Sequence, residues 1–298
     1  MKIIVTGSLG HIGKPLTQEL VQKGHDVTVI SSNPEKQKEI EALGAAAAIG
    51  SLEDIEFLTA TFIGADAVYS MVPPNNYFNP ELDLLAYYIS LGNNYAQAIK
   101  VSGVKRLVNL STIGGHLEKG SGILLGAHNV ERILNQLPAD VAITHIRPTS
   151  FFYNLYGYTE MIKNVGVIAA NYGADELIPW VSPVDIAAAI AEELTTPFNG
   201  RKTRYVGSEE LTGNEVAALL GKAIGKPDLK WVLVSDEEAL KSLTSIGMNP
   251  KIAAGLTEMY GSLHTGLLSE DYFRNRPVMG KMRMADFAKE FALAYKQN

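Results

Sequence analysis

Near its start the chain reads Thr6-Gly7-Ser8-Leu9-Gly10-His11-Ile12-Gly13, three glycines at three-residue intervals. Glycines so placed act through what they lack. Without a Cβ the backbone can turn tightly, bring N–H groups against a pyrophosphate and pack a helix closely on a strand. The loop has no Lys-Ser/Thr ending, so it is not the phosphate cradle of a nucleoside triphosphatase. His11, His25, His116, His128, His145 and His264 show no paired metal-ligand spacing, and no Gly-x-Ser-x-Gly elbow presents a serine nucleophile. With no cysteine, disulfides, thiolate zinc sites and a cysteine nucleophile are excluded. An ordinary glycine-rich turn can carry the same residues as a dinucleotide loop, so the flanking elements must decide between them.

Those elements alternate. Short apolar runs at Ile3–Val5, Val27–Ile30, Ala46–Ile49, Ala67–Tyr69, Leu107–Leu110 and Val141–Ile146 are separated by helix-like stretches, the pattern of a doubly wound parallel α/β sheet. The glycine loop falls directly after the first of these strands and before a helix over Pro15–Lys23, which ends at Gly24. Further helices are expected at Pro34–Leu43, opened by Asn33-Pro34, and at Leu82–Val101, ended by Gly103. Beyond about residue 150 the alternation fades. Helices are expected at Val184–Thr195, Thr212–Gly225, Asp236–Ser245 and Met284–Tyr295, with short pieces at Arg204–Gly207 and Lys230–Val234. We therefore expect a Rossmann-type nucleotide-binding domain over 1–150. Residues 151–298 are expected as a smaller, mainly helical capping region, interleaved with the sheet and closing a substrate pocket over the carboxyl ends of its strands.

The 298 residues, 46% of them hydrophobic and 19% charged, have the composition of a soluble globular protein. The net charge is −6 and neither half is basic, which argues against general nucleic-acid binding. No apolar run approaches a membrane span, and Met1–Thr6 enters a strand without the layout of a signal peptide, so a cytoplasmic location and no membrane partner are expected. The cluster Arg274, Arg276, Lys281 and Arg283 is expected as a solvated face.

Over nearly its whole length the chain resembles the NmrA-like group of atypical short-chain dehydrogenase/reductases, which is related to the extended branch. The resemblance rests on Gly7–Gly13, Ser32-Asn33-Pro34-Glu35-Lys36, Gly50-Ser51-Leu52-Glu53-Asp54, Val104-Lys105-Arg106-Leu107 with Leu110-Ser111-Thr112, Ile146-Arg147-Pro148 through Phe152 to Asn154, and Ile178–Ala187. It implies a bound nicotinamide dinucleotide, with the pyrophosphate over Gly7–Gly13. Ser51 and Leu52 would lie at the adenine end, and Met71-Val72-Pro73 beneath the adenosine ribose or pyrophosphate. Ser111 and Pro148 would stand at the strand ends nearest the nicotinamide.

An acidic residue at the end of the second strand would accept from a ribose 2′-OH and repel a 2′-phosphate. This chain has Ser31-Ser32-Asn33 there, with Lys36 one turn on, so NADP(H) is expected over NAD(H). Asn33 before Pro34 is equally placed to cap the following turn.

Active short-chain reductases use Tyr-x-x-x-Lys, the tyrosine serving as proton donor or acceptor. Aligning Glu131 with the glutamate that follows that lysine by four residues in extended members puts Ala127 at the lysine position and Ile123 at the tyrosine position, where neither can move a proton. The remaining catalytic candidates are Ser111, Thr112 and His128. Phe151 and Phe152, with Tyr153, Asn154 and Tyr156 near them, could wall a pocket for a flat acceptor or could pack the two regions together. Two functions stay open on the sequence: an NADPH-dependent reductase of a small quinone-like or carbonyl acceptor, or a non-catalytic NADP(H) redox sensor acting through a regulatory protein partner.

Overall fold

The computed structural model describes residues 1–297. The first half forms β1 (Lys2–Val5), α1 (Gly13–Gln22), β2 (Asp26–Ser31), α2 (Gln37–Ala42), β3 (Ala46–Ile49), α3 (Ile55–Phe62), β4 (Ala67–Ser70), α4 (Leu84–Ser102), β5 (Arg106–Leu110), α5 (Leu125–Leu134) and β6 (Ala142–Pro148). The strands are parallel in the order β3-β2-β1-β4-β5-β6. Strand order reverses between β1 and β4, which opens a crevice at their carboxyl ends. Covered on both faces, such strands have no polar side to show, and β4 is buried at every residue. Leu16 and Leu20 of α1 cover one face, and Leu58, Leu91, Tyr95, Val130 and Leu134 of α3 to α5 cover the other.

Two local differences from the sequence expectation have simple causes. The helix expected from Pro34 begins as a 3₁₀ turn over Pro34–Lys36 and becomes α-helical only at Gln37. Helix α3 was not anticipated, although Asp54 caps it by accepting from the Phe57 N–H at 3.0 Å.

The second half contains β7 (Ser150–Phe151), α6 (Thr159–Asn164), β8 (Val167–Ala170), β9 (Leu177–Val181), α7 (Pro183–Thr195), β10 (Arg201–Val206), β11 (Glu209–Thr212), α8 (Gly213–Ile224), β12 (Lys230–Leu233), α9 (Asp236–Ser245), α10 (Pro250–His264), α11 (Glu270–Arg274) and α12 (Met284–Gln297). Helix α7 returns to the central sheet, where its Ile186 and Ile190 join the face of α1. Strand β10 pairs parallel to β6 as the seventh strand, from Arg201 opposite Ile143 to Val206 opposite Pro148. The rest builds a cap with two small sheets, β11-β9-β7 and β12-β8, around a core that includes Phe152, Trp180, Trp231, Phe287 and Phe291. Among the described residues no helix is long and apolar enough to cross a membrane.

One side chain fastens the cap to the loop that follows β4. Asn249, 3% exposed, donates from Nδ2 toward the carbonyls of Asn79, Pro80 and Leu82 at 3.0, 3.2 and 3.3 Å, while its Oδ1 caps α10 by accepting from the Lys251 N–H at 2.9 Å. Asn249→Ala removes a helix cap and a buried donor together and should destabilise the protein by about 2–3 kcal/mol. Urea unfolding would show this as a lower midpoint at unchanged slope, and an unaltered midpoint would show that the tether contributes nothing.

Candidate active site

The glycine loop is tight at its ends and open in its middle. Gly7 has φ +86°, and a Cβ there would lie 2.6 Å from the Met71 sulfur. At Gly13 a Cβ would meet the Ser8 carbonyl oxygen at 2.2 Å, so only glycine lets α1 approach the turn. Gly10 is different, its nearest neighbour being the Gly7 oxygen at 3.7 Å. This leaves space over the backbone where α1 begins without a side-chain cap; the Lys14 N–H is taken by the Gly10 carbonyl at 3.1 Å and Pro15 has none, so in the first turn it is the Gly13 N–H that has no backbone partner among the described residues. Thr6 is fully buried and braces the site from below, its Oγ1 accepting from the Met71 N–H at 3.2 Å beside the Tyr95 hydroxyl, which donates to the Met71 carbonyl at 2.7 Å. Ile12 is buried under the loop, and Leu9 packs against the same core.

Beside this loop a cavity of about 210 Å³ is lined by Gly7, Ser31, Ser32, Ser51, Leu52 and Pro73 from the expected set. Glu53, Tyr87 and Leu91 also line it, and the sequence reading missed all three as site residues. Tyr87 and Leu91 come from α4, and their approach depends on how that helix packs. Ser31 is buried and receives the Ser8 hydroxyl at 3.0 Å, tying the glycine turn to the end of β2. Asn33 caps the Pro34 turn, its side-chain oxygen accepting from the Glu35 N–H at 2.9 Å. Lys36 ion-pairs with Glu39 at 2.8 Å, and Lys14 reaches the same carboxylate at 3.0 Å. Lys14 carried no signal in the sequence beyond its place next to Gly13.

The expected aromatic wall is divided, with Phe151 and Tyr153 at the glycine loop and Phe152 and Tyr156 in the cap. Phe151 stacks on Tyr153 with ring centres 5.0 Å apart, and Tyr153 stacks on His11 at 4.4 Å, so these three rings stand over the glycine loop. Phe152 instead points the other way, 2% exposed, into the cap core against Phe287. Successive residues at a strand end face opposite sides, so Phe151 and Phe152 cannot both line one pocket. Asn154 is exposed, and Tyr156 stacks on Phe291 within the cap. Burial pushes the Tyr153 phenol up to about 12, so it stays protonated at neutral pH.

At the ends of β5 and β6 the polar groups form a chain. Glu131, 5% exposed on α5, accepts from Arg147 Nε at 2.9 Å and Nη2 at 2.7 Å, and from the Ser111 hydroxyl at 2.5 Å. Arg147 reaches Tyr205 at 3.4 Å, and the Tyr205 hydroxyl donates to Asp271 at 2.6 Å. Burial pulls the Arg147 guanidinium down, but its bonds to Glu131 more than offset this and hold it above its ordinary value. Ser111 is thus committed to Glu131. Thr112, half-buried next to it, has no side-chain hydrogen bond among the described residues. The carbonyl of Pro148 accepts from the Ile113 N–H at 2.8 Å, which holds this strand exit against β6.

His128 is 7% exposed, with Nδ1 at 2.9 Å from the Gly115 carbonyl. That contact requires the proton on Nδ1 and leaves Nε2, buried and unpartnered, as an acceptor. Ala127 is buried nearby on α5, and Ile123 packs against Gly255 of α10.

A parallel sheet in this order, with a glycine turn too tight for side chains at its switch point, defines a Rossmann-type dinucleotide-binding protein. The chain belongs to the NmrA-like family, which it matches over residues 1–266. It is 27% identical over 296 residues to an NAD(P)H azoreductase of Xenophilus azovorans, covering 98% of this chain and 99% of that protein. It is 27% identical over 226 residues to a (4-alkanoyl-5-oxo-2,5-dihydrofuran-3-yl)methyl phosphate reductase of Streptomyces griseus, covering 76% of this chain and 74% of that one. The fold is shared with the NADPH-dependent quinone oxidoreductase of Escherichia coli complexed with NADPH, at a TM-score of 0.79 and 18% identity over 97% of this chain and 99% of that one. It is also shared with Citrobacter sp. triphenylmethane reductase complexed with NADP(H), at 0.76 and 22% over 97% and 99%.

Arg147→Ala would strand the Glu131 carboxylate in the interior and should cost about 3–5 kcal/mol, whereas replacing the pair together, Arg147→Met with Glu131→Leu, should cost much less. Denaturant unfolding of both variants checks this, and equal losses would show that the pair's ionic character is not what matters.

Proposed function

We propose that this protein is an NADPH-dependent reductase of a small, flat, electron-accepting molecule, quinone-like or carbonyl, and that its reaction does not use a Tyr/Lys dyad. The observation that carries the reading is the placement of the Phe151 and Tyr153 rings over the glycine loop; the sequence alignment on Glu131, which sets Ile123 and Ala127 at the positions of a proton-transferring pair, supports it. The named relatives are reductases of azo, quinone, dye and unsaturated lactone substrates, acceptors with delocalised electrons. That company favours catalysis, and no specific contact favours the sensor reading.

The residues fit the cofactor. At Gly7 and Gly13 a Cβ would strike Met71 and the Ser8 carbonyl, so only glycines allow this turn, Gly10 leaves the space over the loop open, and Ser31 and Ser32 carry no acid at the end of β2. NADPH, when bound, supplies the hydride. The chain's own part is to hold the acceptor flat and to steady the charge that develops on it. An ordinary ketone develops alkoxide charge that a positioned acid must neutralise, and such an acid is worth roughly 10²–10⁴-fold. A quinone spreads the charge over its ring, so the free hydroxyl of Thr112 and solvent suffice, while orientation supplies most of the acceleration. Ser111 acts through Glu131 by fixing the strand exit that carries Thr112. His128 presents a buried Nε2 without a hydrogen-bond partner on α5.

Thermal melting tests the cofactor assignment. A ligand at 100 times its dissociation constant stabilises the folded state by about 2.7 kcal/mol, so NADPH should raise Tm more than NADH, and Gly10→Asp should abolish the shift by setting a carboxylate against the phosphates. With NADPH, turnover is expected on small quinones and to be weak or absent on simple ketones. Robust ketone reduction surviving both Thr112→Ala and His128→Ala would overturn the mechanism, and no shift with any nicotinamide nucleotide would overturn the cofactor.

A further inference from the structure

Three phenols from separate segments meet beside the aromatic wall. Tyr77 stands in the segment after β4, Tyr88 near the start of α4, and Tyr153 after β7. The Tyr88 ring lies against the backbone of α5 at Gly126, where a Cβ would sit 2.6 Å from its Cγ and 2.9 Å from both Cδ atoms. Gly126 directly precedes Ala127, so the ring is brought to the part of α5 where Ile123 and Ala127 offer no polar atom. On α4 the preceding residue, Tyr87, lines the nucleotide cavity, which sets Tyr88 where that crevice meets α5. Burial raises the Tyr88 phenol above its ordinary value, and the phenols of Tyr77, Tyr87 and Tyr153 raise it further, so these hydroxyls share one region. Tyr95 and Tyr205 donate at 2.7 and 2.6 Å to the Met71 carbonyl and to Asp271, whereas the hydroxyls of Tyr77, Tyr88 and Tyr153 have no hydrogen-bond partner among the described residues. A hydroxyl held without a partner in partly dry surroundings costs stability, and phenylalanine would fill the same space without that cost.

We propose that Tyr88 and Tyr153 donate hydrogen bonds to one oxygen of the bound acceptor and stabilise the negative charge that hydride arrival leaves there. This rests on the reductase reading above, adds two donors to Thr112, and narrows the acceptor to a flat molecule that carries its own exocyclic oxygen, as a quinone does. The two donors come from different sides, Tyr153 from the stack over the glycine loop and Tyr88 from α4 across the start of α5. A quinone takes up two electrons and one hydrogen as hydride, NADPH leaves as NADP+, and solvent later protonates the new oxyanion to give the hydroquinone. The phenols keep their protons throughout. A phenol raised by burial does not ionise at neutral pH and so remains a donor, and a fixed donor aimed at a developing charge is worth more among packed rings than in bulk water. Gly126 makes the arrangement possible, since any side chain there would push Tyr88 off α5.

An oxyanion mimic tests this without turnover. Wild type, Tyr88→Phe and Tyr153→Phe are titrated, with NADP+ present, with para-nitrophenolate and with its neutral methyl ether, para-nitroanisole, following the absorbance of the bound ligand. Wild type should prefer the anion, and each substitution should weaken anion binding by about tenfold, the worth of a hydrogen bond to a charge, while changing the ether by less than about twofold. The urea midpoint of each variant should be unchanged or higher, because only an unpartnered hydroxyl is lost, and a packing role would not give weaker anion binding without a loss of stability. In steady-state assays kcat on small quinones should fall about tenfold in each variant. If wild type shows no preference for the anion, or either variant keeps it, the phenol pair is wrong, while the reductase reading stands on its quinone turnover. If the preference and its loss are seen but no quinone is reduced, the reductase reading falls and takes the catalytic role of the phenols with it.

Discussion

The Glu131 carboxylate, buried at the end of β5, is the point at which the sheet, the fifth crossover helix and the cap are joined. An ionised group in that position is tolerated only because Arg147 meets it with two hydrogen bonds and Ser111 with a third. Each partner belongs to a different element: Glu131 to α5, Ser111 to the exit of β5, Arg147 to β6. Through Arg147 the chain continues to Tyr205 on β10 and Asp271 on α11, so the ion pair also registers the seventh strand and the cap against the site. Gly115 completes the arrangement, since a Cβ there would lie 2.7 Å from the Glu131 carboxylate and 2.9 Å from the Ser111 hydroxyl. The positions of Thr112 and His128 follow, one next to Ser111 and the other one turn before Glu131.

The two ends of the nucleotide crevice are held by different physics. At the pyrophosphate end, Gly7 and Gly13 are closed by steric contact with Met71 and Ser8, which leaves the backbone itself as the recognition surface. Past the end of β2 stand the buried Ser31, the exposed Ser32 and a partly exposed Lys14–Glu39–Lys36 bridge.

Toward the acceptor, the site combines a stacked aromatic face with few proton-transferring groups. The Phe151–Tyr153–His11 stack offers area and flatness. The hydroxyls there are poor acids, because Ser111 is bound to Glu131 and burial raises the Tyr153 phenol above its ordinary value. This is the ground on which we propose an acceptor that carries its own electron delocalisation.

What the amino-acid sequence determined by itself is the part whose physics is local. The glycine spacing, the buried β-runs and the capping residues act over a few positions, so six parallel strands and the loop between β1 and α1 were legible. Helix α9 was legible to the residue, because Ser235 and Glu238 form a capping box at its start. Other features depended on contacts between distant segments. Arg201–Val206 has no distinctive signal and becomes a sheet strand only by pairing with β6. Phe151 and Phe152 are interchangeable in type, and the register that sets Phe151 opposite Val181 decides which one faces the site. Ser111 could have been a free hydroxyl until Glu131, twenty residues later, accepted its hydrogen bond, and Lys14 could have stood alone until α2 brought Glu39 to it. A charge or hydroxyl states its chemistry in the sequence, but its partner is a matter of distance, and distance between remote residues exists only once the chain has folded.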